Sequence, residues 1–115
     1  MTCRTFCVLA QALEENPSNL VEFNMGQNFL KDKGGMKFGE SLRYNDTLAE
    51  VNLCDNGFTD ETALAINRSL PFNKMVSKLN LTKNLINLRV LDLLDITLDK
   101  IRETKIASVL PDLLN

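Results

Sequence analysis

The sequence predicts an α/β fold assembled from units that each read strand, loop, helix and return loop. Three observations carry this. A period of 28 residues runs through the middle of the chain, apolar residues alternate in one part of each period, and they recur at helical spacing in another.

The period is visible by eye. From Leu20 the chain reads LVEFNMGQNFLKDKGGMKFGESLRYNDT, from Leu48 it reads LAEVNLCDNGFTDETALAINRSLPFNKM, and from Val76 it reads VSKLNLTKNLI. Phe23, Val51 and Leu79 form one column, Met25, Leu53 and Leu81 a second. Asn24, Asn52 and Asn80 form a third, and Asn28, Asn56 and Asn84 a fourth. Leu and Asn supply 20 and 13 of the 115 residues, and the columns absorb part of that excess.

Taken in order, Thr5 to Glu15 reads as a helix with Cys7, Leu9, Ala10 and Leu13 on its apolar stripe, ended by Asn16-Pro17. It is either the helical half of a unit whose strand is missing or an N-terminal cap. In 20–47 the helix carries Met36, Phe38 and Leu42, with Asp32 before it and Asn45 after it. Gly34-Gly35 weakens its start by about 1 kcal/mol per glycine. In 48–75, Val51 and Leu53 alternate while Glu50, Asn52 and Cys54 face the other way. Ala63, Leu64, Ile66 and Leu70 then recur at helical spacing, with Asp60 and Glu61 favourable at the positive helix end and Asn73 near its close.

The C-terminal third departs from this order. The unit at 76–87 has its strand and its asparagine but shows no helix, because a new 28-residue stretch starts at Leu88. There Leu88, Leu91 and Leu93 fit the strand columns, and Ile106, Leu110 and Pro111 match Ile66, Leu70 and Pro71. Ile96 stands at the position that Asn28, Asn56 and Asn84 hold in the earlier units. Either a helix-free unit is followed by a fourth strand, or the chain leaves the array for a helical cap around Asp99–Leu110; the strand columns favour the first. The organisation is thus one domain: 1–19 half-unit or cap, 20–47, 48–75, 76–87 truncated, and 88–115 degenerate unit or cap.

The motif LxxLxLxxN followed by a helix resembles the leucine-rich repeat family, and the 28-residue period resembles its ribonuclease-inhibitor-like subfamily. That resemblance implies a right-handed solenoid with a short parallel sheet on the concave face and helices on the convex face. It also implies that Asn28, Asn56 and Asn84 are a buried ladder satisfying turn backbone, where each unpaired group would cost about 1–3 kcal/mol. Function would lie on the concave strand face, at Glu22, Asn24, Glu50, Asn52, Asp55, Lys78, Asn80, Lys83 and Arg89. Along that set the charge changes from acidic to basic, which suits a partner of opposite polarity.

Composition narrows the function. Thirteen basic residues against fifteen acidic ones give a net charge of -2, which argues against nucleic-acid binding through bulk charge. There is no histidine, so Ser-His and Cys-His chemistry is excluded. No phosphate loop, dinucleotide fingerprint or zinc motif appears. Cys3, Cys7 and Cys54 read as reduced thiols packed as small apolar residues. Asp92, Asp95 and Asp99 read as a solvated acidic edge. Asn45-Asp46-Thr47, Asn67-Arg68-Ser69 and Asn80-Leu81-Thr82 match the glycosylation triplet, without a secretory signal to give them meaning. The expectation is a non-enzymatic, cofactor-free interaction or scaffold module, a fragment or short member of a larger repeat protein. Its partner is another protein, with no role for nucleic acid or membrane, and it self-associates through open sheet edges. Its setting is cytoplasmic, with cytoskeletal or ciliary association compatible by resemblance. The alternative is a GTPase-activating regulator resembling the Ran-activating leucine-rich-repeat proteins.

Overall fold

Three short strands, each centred on one inward apolar residue, make the sheet. The computed structural model describes residues 3–15, 22–73 and 75–114. In chain order these are α1 (Cys3–Glu15), β1 (Glu22–Asn24), α2 (Lys31–Leu42), β2 (Glu50–Asn52), α3 (Asp60–Ser69) with a 3-10 turn at Leu70–Phe72, β3 (Lys78–Asn80) and α4 (Leu88–Leu114). The strands are parallel in the order β1-β2-β3. Phe23 pairs with Val51 and Val51 with Leu79, so columns 28 apart in sequence are neighbours in the sheet. α1 packs on α2, α2 on α3 and α3 on α4.

The core lies between the inward strand residues and the helices. Phe38, Ile66 and Leu94 are one column across three helices, and Leu42, Leu70 and Leu98 are another; all six are buried. At the N-terminal end, Phe6 of α1 closes over Phe23 and Phe38, with ring centroids 6.1 and 5.8 Å away. Phe6 and Ala10 are the fully buried residues here, whereas Cys7 and Leu9 are only half-buried. The helix stop expected at Asn16-Pro17, and the side chains of Leu13, Ile106, Leu110 and Pro111, lie outside the described residues.

Polar groups join the helices to the loops. Asp32 reaches from α2 to the start of α3, where its carboxylate accepts from Thr59 N–H (2.9 Å), the Thr59 hydroxyl and the Thr62 hydroxyl (2.7 Å). Thr59 is itself the N-cap of α3, its hydroxyl accepting from Glu61 N–H at 3.3 Å. Twenty-eight residues on, the Asp60 carboxylate accepts from Asn87 N–H at 2.7 Å, just before α4. The return loops are held by buried Asn45 and Asn73. Asn73 donates to Leu42 O and Asn45 O, both at 2.8 Å, and accepts from Met75 and Val76 N–H, both at 2.9 Å.

Two expectations are corrected here. The C-terminal segment is neither a helix-free unit nor a fourth strand: Leu88 to Leu114 is a single helix of 27 residues. Leu91, Leu94, Leu98 and Ile101 recur at helical spacing and pack on the core. Asn87 starts that helix, its side chain accepting from Arg89 N–H at 2.9 Å. The helix does not stop where α2 and α3 stop, because the column of Asn45 and Asn73 holds Ile101 instead. The expected right-handed leucine-rich-repeat solenoid is the second correction. Among the described residues the sheet has three strands, each three residues long, too small to curl around a concave surface, and Leu88–Leu114 forms one long helix in place of a further strand.

Gly35 and Gly39, both buried, have a role other than weakening α2. A Cβ on Gly35 would stand 2.3 Å from the Thr62 hydroxyl and 2.7 Å from the Phe58 ring. On Gly39, one turn later, a Cβ would stand 3.0 Å from Ala65 Cβ and from Ile66 N. The close approach of α2 to α3 requires glycine at these positions.

Gly35→Ala therefore destabilises the fold by about 1–3 kcal/mol through overpacking, although alanine alone favours a helix by about 1 kcal/mol; urea unfolding measures the sign. Asp32 gives a pH-dependent counterpart. Burial pushes its carboxyl up, but the hydrogen bonds from Thr59 and Thr62 outweigh this and hold it below its ordinary 3.8. A depressed folded-state value means stability that is present above the unfolded value and lost as pH falls through the folded one. Asp32→Asn should cost about 1.5–3 kcal/mol near neutrality. The gap from the parent chain should hold above about pH 5 and narrow below about pH 4.

Candidate interaction surface

The strand residues that alternate away from the core make one open face. Glu22, Asn24, Glu50, Asn52, Lys78 and Asn80 line a shallow groove of about 350 Å³ floored by Phe23, Val51 and Leu79. The sheet register places Glu22 beside Glu50 and Glu50 beside Lys78. Lys78 Nζ lies 3.3 Å from a Glu50 carboxylate oxygen. Both side chains are exposed, so this pair contributes little stability, on the order of 0–1 kcal/mol. The two inter-strand neighbours of Glu50 differ in sign, and the acid-to-base gradient expected along the face is present across these three strands.

The face asparagines are partly occupied locally. Each side-chain oxygen accepts the N–H two residues on: Gly26 at 3.2 Å, Cys54 at 3.1 Å and Thr82 at 3.0 Å. These bonds turn the backbone out of the strand, so Asn24, Asn52 and Asn80 both line the face and end its strands. Next in line, Gln27, Asp55 and Lys83 adopt positive φ of 63, 56 and 58°. Asp55 and Lys83 thus stand on the turns beyond the strands, at the rim of the face. Arg89, expected on a fourth strand, sits in the first turn of α4 and does not belong to this sheet.

Behind the face runs the second asparagine column. Asn56 is fully buried; its Oδ1 accepts from Asn28 N–H (2.9 Å) and Leu30 N–H (3.3 Å). Its amide donates to Met25 O at 2.9 Å and to Leu53 O and Cys54 O, both at 3.1 Å. Asn84 repeats the arrangement, accepting from Asn56 N–H (2.8 Å) and Phe58 N–H (3.1 Å) and donating to Leu53 O (3.1 Å) and Leu81 O (3.0 Å). Asn28 donates to Met25 O and Gly26 O at 2.9 and 3.0 Å. The turns below the face are fixed by these bonds.

Sequence reasoning missed the apolar and aromatic features outside the sheet. Phe29 and Leu85, on the loops that lead from β1 and β3 to the next helix, are 79% and 74% exposed, and Leu88 follows at 75%. Phe29 and Leu85 are 56 residues apart, two periods, a spacing that could have paired them from sequence. On the helix side the Arg43 guanidinium sits 4.0 Å from the Phe72 ring centroid, a cation–π contact between return loops that no spacing rule announces. Among the described residues no three His, Cys, Asp or Glu side chains gather as a metal site; Cys54 is a half-buried free thiol, and the half-buried Cys7 thiol donates to Lys33 O at 3.9 Å. No described helix is long and apolar enough to cross a membrane.

No family model matches the chain. No curated protein matches it either. Among solved structures it is similar to actin-binding site 2 of leiomodin-1, with a TM-score of 0.69 and 19% identity over 94% of this chain and 80% of that one. At that identity the likeness speaks for the fold. It also corrects the expected membership of the leucine-rich repeat family and its ribonuclease-inhibitor-like subfamily.

The two asparagine columns should respond differently to truncation. Asn56→Ala, which strands two backbone donors and several carbonyls, is expected to cost about 3 kcal/mol or more, at about 1–3 kcal/mol for each buried group left unpaired. Asn52→Ala removes one half-exposed turn bond and should cost about 1 kcal/mol. Chemical denaturation of the two variants measures the difference directly.

Proposed function

We propose that the chain is a non-enzymatic protein-binding module that holds its partner against the strand face, with actin as the first partner to test. The observation that supports it most is the combination of an open, polar face carrying charges of both signs with a fold like that of a leiomodin-1 actin-binding site. Glu22, Asn24, Glu50, Asn52, Lys78 and Asn80 would make the contact, with Asp55 and Lys83 at its rim. Charges of both signs set the orientation of a partner and its encounter rate more than its affinity. The hydroxyls and carboxylates present have no histidine to activate them, and the reading needs no cofactor. A cytoplasmic, cytoskeleton-associated setting would follow from an actin partner. No observation favours the GTPase-activating alternative.

The test is binding of the chain to filamentous actin by co-sedimentation and to monomeric actin by fluorescence anisotropy. Alongside it runs a variant carrying Glu50→Lys, Asn52→Ala and Lys78→Glu. The parent chain should bind one of the two forms, and the variant should bind at least about 10-fold more weakly, a loss of about 1.4 kcal/mol, with an unchanged far-UV CD spectrum. Absence of binding to both forms would remove actin, and full binding by the variant would remove the strand face.

A further inference from the structure

The sheet ends at β3 with its register unfinished. Between neighbouring units two backbone bonds repeat 28 residues on. Met25 N–H donates to Asn52 O and Leu53 N–H to Asn80 O, both at 2.9 Å; Gln27 N–H donates to Cys54 O at 2.9 Å and Asp55 N–H to Thr82 O at 3.1 Å. The corresponding donors in the third unit are Leu81 N–H and Lys83 N–H, and neither meets an acceptor among the described residues. The asparagine column stops in the same way. Asn28 and Leu30 N–H share Asn56 Oδ1, and Asn56 and Phe58 N–H share Asn84 Oδ1, but Asn84 and Ile86 N–H have no acceptor among the described residues. Four backbone donors within six residues stand where a neighbouring strand would pair, and the described residues supply none there, since Leu88 already enters α4.

Beside these donors lies an apolar groove of about 380 Å³ between β3 and α4, floored by Leu81, Leu94 and Leu98 and flanked by Leu79, Leu91 and Asp95. One end of the edge is closed. The Arg102 guanidinium donates to Ser77 O, which is the carbonyl corresponding to Ala49 O, the acceptor for Ser77 and Lys78 N–H. Asp99 holds Arg102 there, with Nη1 to Oδ1 at 3.2 Å. An added strand therefore starts level with Leu79.

We propose that this edge takes up an extended segment of a partner protein, added parallel to β3, with the pattern apolar–any–apolar–any–any–Asn. This edge borders the strand face, sharing Leu79 and Asn80 with it, but its donors lie beyond β3 and the proposal does not depend on the actin reading. The register dictates the pattern. The two apolar side chains enter the groove, as Val51 and Leu53 enter the core one unit earlier. Two backbone carbonyls of the segment accept from Leu81 and Lys83 N–H. The asparagine oxygen accepts from Asn84 and Ile86 N–H, and its amide returns to Leu81 O, as Asn84 returns to Leu53 O at 3.1 Å. An acidic residue just before the first apolar one faces Lys78, as Glu50 does. A second copy carries the same pattern in Phe23, Met25 and Asn28 at its β1 edge. Docked in register, however, that copy would drive its α1, which packs on α2, into the space of α4. A flexible segment has no such helix to place.

The probe is a synthetic peptide of residues 48–57 with Cys54→Ser, titrated into the isotope-labelled full chain and followed by amide NMR shifts. The expected result is saturable shifts centred on Leu81, Lys83, Asn84 and Ile86. Binding should weaken at least about 10-fold when the peptide's Asn56 is replaced by Ala, and equally for the chain variant Leu91→Glu with unchanged far-UV CD. Absence of shifts at about 1 mM peptide, shifts centred on β1 or the strand face, or indifference to the Asn56 replacement would overturn the proposal. If the same four amides shift with chain concentration alone, the occupant is a second copy and the partner-segment assignment falls.

Discussion

The carboxamide of Asn56 is the interaction on which the rest of the structure depends. It joins the turn after β1 to the turn after β2 through two acceptor and three donor contacts, and its own backbone N–H passes the link on to Asn84. An isolated pair of three-residue strands cannot hold its register by ladder bonds alone. Buried amide–backbone bonds in a water-excluded turn are expensive to break, so they define where each strand ends. The side chains of the exposed face follow from that, because Glu50 and Lys78 can meet only if the turns behind them are level.

On the helix side the equivalent constraint is steric. Gly35 and Gly39 let α2 sit close to α3, and the Asp32 carboxylate then reaches Thr59 and Thr62 to fix where α3 begins. Asn45 and Asn73 stop successive helical segments and turn the chain back to the sheet. The third unit has Ile101 in that column. With no carboxamide to satisfy a return loop, the backbone continues as helix and Leu98 covers the open end of the core. One residue type at one column separates a returning unit from a terminating one.

Much of this was legible in the sequence at the level of columns and little of it at the level of architecture. The spacing of Phe23, Val51 and Leu79 matches the sheet register, and the unit from Leu48 shows its strand and helix plainly. In the C-terminal third the sequence is ambiguous: Leu91 and Leu93 suggest alternation over two residues, while Leu91, Leu94, Leu98 and Ile101 make the longer helical stripe that the fold uses. Asn87 was available as its N-cap. The right-handed solenoid that the motif implies does not follow, since a motif fixes local geometry whereas the number of strands fixes whether a sheet curls. Gly34-Gly35 suggests only backbone freedom in the sequence, whereas in the fold the missing Cβ of Gly35 is what matters. Which strand-face residues bind is not legible from columns at all, because exposed positions are constrained by a partner and not by packing.

Asn56 and Asn84 each hold the turn one unit before their own. Native-state hydrogen exchange on Asn84→Ala tests this most directly. The Asn56 and Phe58 amides should lose their protection, while the Asn28 and Leu30 amides, bound to Asn56 Oδ1, keep theirs. Unchanged protection at Asn56 and Phe58, or equal loss at all four amides, would contradict a ladder made of separable rungs.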